Sequence, residues 1–128
     1  MILIKKFYEH TEKMGFAKED IHEESGEGYT LVSFFEEGEK DVLYNIALIF
    51  YEDESAEVIV RKPVIDREDT EILYKLNELN SRYCGVTYLL SNEMLVLKSY
   101  CKTEGNIEIL LREMVQNMKL AQSEFPAI

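Results

Sequence analysis

Apolar positions change period several times along the chain, and the changes mark the elements. Over 2–15, Leu3, Phe7, His10 and Met14 fall on one face at helical spacing, which predicts a helix stopped by Gly15. A charged connector over 17–28 follows. Tyr29 to Glu36, Asp41 to Tyr51 and Ala56 to Lys62 then read as strands joined by the turns Glu37–Lys40 and Glu52–Ser55, with Pro63 ending the last. Short turns between adjacent strands imply an antiparallel meander. Asp66, with Asp69 three residues on, predicts the start of a second helix. Ile72, Leu76, Leu79 and Tyr83 form its apolar stripe, Glu71–Lys75 and Glu78–Arg82 pair on its wet side, and Gly85 stops it. Val86 to Leu90 and Met94 to Cys101 predict a hairpin around Ser91–Glu93, with Asn92 suited to positive φ. Thr103 or Asn106 caps a last helix with its apolar face on Ile107, Leu110, Leu111, Met114, Val115, Met118 and Ala121.

The order is α-β-β-β-α-β-β-α. Strands grouped between helices, without βαβ alternation, predict a single α+β domain over 1–128, with a five-stranded, mainly antiparallel sheet packed with helices.

The Asp41–Tyr51 strand departs from the usual pattern. A strand with one wet face alternates apolar and polar residues. Here Val42, Tyr44, Ile46, Leu48 and Phe50 point one way, and Leu43, Asn45, Ala47, Ile49 and Tyr51 the other. Both sets are mostly apolar, so both faces want cover. Either helices pack on both faces, or one face meets a second subunit or a ligand. Leu43, Ala47, Ile49 and Tyr51 are therefore the candidate interaction face.

Composition narrows the classes of function. The 128 residues are 46% hydrophobic and 30% charged, as in a globular domain. Twenty-five acidic against 14 basic residues give a net charge of −11, which argues against nucleic acid as a partner. Cys84 and Cys101 are too few for a disulfide scaffold and fit a reduced interior. Charge follows the short Met1–Ile4 apolar run, unlike a signal peptide, and no apolar stretch reaches the ~18 residues of a membrane span. The expected setting is the cytoplasm.

The chain offers little chemistry. His22 lies among Asp20, Glu23 and Glu24, but four neighbours in one acidic connector lack the rigid geometry of a metal site. Ser25–Gly28 lacks the lysine of a phosphate loop. The carboxylate pairs sit at turns, where nothing raises a pKa for acid catalysis. No catalytic residue, cofactor or metal is expected. Asn77 and Asn80 are weak helix formers in the last turns of the second helix, which marks them as structural polar positions satisfying backbone groups where helix meets strand.

Leu76-Asn-Glu-Leu-Asn80, the following hairpin and the long helix ending near Phe125-Pro126 resemble the YbjN-like family. The residue-level likeness covers Leu73 to Tyr100. The resemblance implies a fold similar to type III secretion chaperones, which are small, acidic, often dimeric and bind extended segments of other proteins. It carries over no catalytic residue. The expected function is a non-catalytic interaction or regulatory domain that binds another polypeptide, as a homodimer. The alternative is an immunity or antitoxin-like protein that blocks a basic partner with its carboxylates. A small enzyme with a pocket at Asn77, Asn80 and Tyr83 is the third option.

Overall fold

The computed structural model describes residues 2–64 and 69–127. The order is α1 (Ile2–Lys13), β1 (His22–Gly26), β2 (Tyr29–Glu37), β3 (Leu43–Tyr51), β4 (Ser55–Pro63), α2 (Asp69–Arg82), β5 (Thr87–Ser91), β6 (Met94–Lys102) and α3 (Ile107–Glu124). The strands make one sheet in the order β1-β2-β3-β4-β6-β5, antiparallel at every pairing. The fold is α+β with six strands, not five. The extra one, β1, lies in the charged connector. All five of its residues are exposed, so no apolar alternation announces it. It forms through backbone pairing to β2, and the Tyr29 ring lies against Gly26 where a Cβ would clash.

Local chemistry sets the ends of the elements. Gly15, at φ +81°, closes α1: its N–H reaches the Glu12 carbonyl and the Phe16 N–H reaches that of Thr11. Asn92 and Glu93 both take positive φ in the β5–β6 turn, the geometry that matches strand twist. Asn106 caps α3 by accepting from the Glu108 N–H. The expected start of α2 at Asp66 lies outside the described residues.

Cross-strand register defines the two faces of the sheet. One face carries Val32 and Phe34, Tyr44 to Phe50 in alternation, Ala56, Val58 and Val60, Leu95 and Leu97, and Tyr88. All are buried. The helices pack here. Phe7 of α1 meets Phe34 and Phe50, and Phe125 after α3 meets Tyr88. Asn117 of α3 is fully buried and donates to the Val58 carbonyl (3.2 Å) and Ser99 Oγ (2.7 Å), while Ser99 donates to Glu113 (2.7 Å). This polar network was not foreseen, because Asn117 falls inside an apolar stripe.

The α2 helix seals the sheet edge at β5. Asn80 Nδ2 donates to the Tyr88 carbonyl (2.8 Å) and Asn80 Oδ1 accepts from the Tyr88 N–H (2.7 Å). One side-chain amide thus stands in for the neighbouring strand that β5 lacks. Asn77, exposed like Asn80, takes no part in this pairing.

Candidate functional site

The second face of the sheet is open. Every helix contact to the sheet described above falls on the first face, while Tyr29 (42% exposed), Phe35 (64%), Leu43 (54%) and Tyr100 (57%) stand on the second. Of the residues expected to form an interaction face, Leu43 is exposed, Ile49 and Tyr51 are half-buried, and Ala47 is buried among its sheet neighbours. Register adds Leu31 and Phe35 on β2, Ile59 on β4, Val96 and Tyr100 on β6, and Leu89 on β5. A wet sheet face should be polar at these positions. Here apolar residues occupy most of it, and scattered surface leucines do not account for a continuous strip.

Two polar pairs are set into this strip. Arg61 on β4 donates through Nε (2.8 Å) and Nη2 to Oδ1 of Asn45 on β3, and Asn45 Nδ2 donates to the Phe34 carbonyl (3.3 Å). Guanidinium carries five N–H donors, and among the described residues two of them are engaged, both on Asn45. Tyr51 donates to Glu57 (2.7 Å), and that hydrogen bond, with burial behind it, pushes the Tyr51 hydroxyl up to about 12.

Two concavities lie elsewhere. Where α1 and α3 diverge, they leave an apolar groove of about 580 Å³ over Phe34 and Ile46, walled by Met14, Phe16, Met114 and Val115. His10, Thr11, Glu36, Lys119 and Gln122 supply its polar lining; Thr11 donates to the Tyr8 carbonyl (2.9 Å) and Gln122 accepts from the Glu39 N–H (2.7 Å). A depression of about 460 Å³ lies at Tyr74, Asn77, Glu78, Asn80 and Ser81, on the outside of α2. Asn80 is committed there to the β5 backbone, and Tyr83 turns away to donate to Glu124 (2.6 Å).

Burial pushes the Cys101 thiol up to about 11, the opposite of an activated nucleophile. His22 contacts Glu24 (3.0 Å) on the exposed β1. Among the described residues, no three His, Cys, Asp or Glu side chains gather as a metal site. No helix among them is long and apolar enough to cross a membrane.

Compared with family models, curated proteins and solved structures, the chain matches none.

Proposed function

We propose that the chain is a non-catalytic protein-interaction domain, chaperone-like in that it offers an apolar surface to another polypeptide, and that it acts as a homodimer. The observation that carries this reading is the open sheet face, with Phe35, Leu43 and Tyr100 each more than half exposed. Leaving such a strip in water costs free energy, at about 25 cal/mol for each Å² that a partner would cover. Among the described residues, the three helices pack on the first face. The likeness of the Leu73–Tyr100 segment to the YbjN-like family points the same way, as does the acidic surface, which suits partners with basic flanks.

The reading is tested by making the strip polar without touching the core. Phe35 and Leu43 are exposed, so Phe35→Asp with Leu43→Asp should leave the thermal midpoint nearly unchanged. Polypeptides captured by the immobilised wild-type chain should fall at least tenfold on this double variant. Equal capture by the two proteins contradicts the proposal.

A further inference from the structure

The groove between α1 and α3 differs in kind from the open sheet face. It is concave, and its volume of about 580 Å³ falls in the range of small-molecule sites, about 300–1,000 Å³. From Phe7 to Met14, α1 walls it over roughly 10 Å, and from Leu111 to Gln122, α3 walls it over roughly 16 Å, at ~1.5 Å per residue. A polypeptide partner needs about 800 Å² on each side, more than a slot of these dimensions offers. Met14, Phe16 and Val115 stand exposed along the groove, while Phe7, Phe34 and Ile46 are buried beneath it. An apolar occupant would take these surfaces out of water. Met14, Met114 and Met118 supply much of the wall, and unbranched methionine side chains adjust to an irregular guest. Such walls suit a flexible aliphatic chain better than a rigid ring system.

The charged groups of the groove gather toward the β2–β3 turn. Glu36 lies next to the end of β2, Lys119 and Gln122 lie one turn apart on α3, and Gln122 Oε1 accepts from the Glu39 N–H just beyond β2. His10 and Thr11 line the α1 wall, where the Thr11 hydroxyl is bonded to its own helix. Glu36 and Lys119 carry opposite charges, and among the described residues neither is in an ion pair. Their charges cancel, within a chain of net charge −11. A long-chain carboxylate would meet Glu36 and the acidic chain unfavourably, and a long-chain ammonium would meet Lys119 unfavourably. A hydroxyl suits both, because it donates one O–H to a carboxylate and accepts from an ammonium on its lone pairs.

We infer that this groove binds a single aliphatic chain ended by a hydroxyl, with the chain between α1 and α3 and the hydroxyl between Glu36 and Lys119. An extended chain advances about 1.2 Å per bond, so about ten carbons span the shorter wall. The site is independent of the open sheet face. Glu36 pairs with Tyr44 on the helix side of the sheet, and its neighbour Phe35 points to the other side.

Methyl NMR of the full chain titrated with 1-decanol tests the inference. The Leu111 and Val115 methyls should shift saturably, with a midpoint on the order of 50 micromolar, while Leu31 and Ile59 on the sheet face stay in place. Decanoate and decylammonium, with the same chain, should bind at least about fivefold more weakly. Glu36, Val115 and Lys119 are exposed, so substitutions there leave the core intact. Glu36→Gln should strengthen decanoate binding at least about threefold, and Lys119→Gln should do the same for decylammonium. Val115→Asp should weaken decanol binding at least about tenfold, whereas Phe35→Asp with Leu43→Asp should leave it within about twofold. Groove methyls that do not shift, or that shift without saturating, overturn the inference. So does decanoate or decylammonium binding the wild type as tightly as decanol, or Val115→Asp binding decanol like the wild type.

Discussion

Phe7→Ala is expected to cost about 3–5 kcal/mol, the usual range for truncating a fully buried aromatic ring. Phe7 is the anchor of α1. Its ring is buried and contacts Phe34 at 6.2 Å, Phe50 at 5.7 Å and Tyr8 at 5.8 Å between centroids. Other groups help hold this helix. Leu3 is buried beside Phe7, Ile4 and Tyr8 pack against the core, Tyr8 donates to Glu23 (2.6 Å), Glu54 accepts from the Ile2 and Leu3 N–H groups at 2.9 and 2.8 Å, and Lys6 reaches the Gly105 carbonyl. Exposed capping bonds are worth about 1 kcal/mol each, so they do not offset the loss of the ring. Urea denaturation reads the change. A loss under about 1 kcal/mol would mean that α1 is not docked through Phe7.

Asn80→Leu is expected to cost about 1–3 kcal/mol, although leucine has nearly the same size and is the better helix former. The reason is the edge strand. The Asn80 amide gives and takes one hydrogen bond each with Tyr88, and leucine would remove the partner of both backbone groups at a partly buried edge. The Tyr88 ring is buried against Tyr83 and Phe125, so a shift of β5 toward water would also disturb that aromatic cluster. Denaturation measures the loss, and hydrogen exchange at the Tyr88 amide locates it. A leucine variant as stable as wild type, with that amide equally protected, contradicts the role. Asn77→Leu is the internal control, because Asn77 is exposed and should change stability by less than about 0.5 kcal/mol.

These residues show which parts of the fold were legible in the sequence. Strands with a buried face, and helices with a buried stripe, declared themselves through period. Their ends were marked by residues with special backbone freedom, such as Gly15 and Asn92. β1 was hidden because a strand with no buried residue has no hydrophobic period to read. Asn117 was hidden because a buried amide looks like a break in a stripe until its partners on the sheet are known. Asn77 and Asn80 looked equivalent at helical spacing, and only the position of the β5 edge separates them. The α3 stripe was wider than its contact. Val115 is exposed on the groove wall, while Leu110, Met118 and Ala121 reach the core.

The candidate site was legible in one dimension. Alternation along β3 placed Leu43, Ala47, Ile49 and Tyr51 on one face. Phe35, Ile59, Val96 and Tyr100 join them only through register across strands, which a single sequence does not display. That register follows the strand order β1-β2-β3-β4-β6-β5, in which β6 lies beside β4 and β5 takes the edge.

Methyl NMR of the Ile, Leu and Val side chains across a concentration series tests most directly whether the open sheet face is the interface. Leu31, Leu43, Ile49, Ile59, Leu89 and Val96 lie on that face. Leu3, Leu48 and Leu97 lie in the core, and Leu111 and Val115 line the groove between α1 and α3. The expected result is that the sheet-face methyls shift together as concentration rises, with the core and groove methyls unchanged. Concentration-independent sheet-face methyls, or shifts confined to Leu111 and Val115, would contradict it.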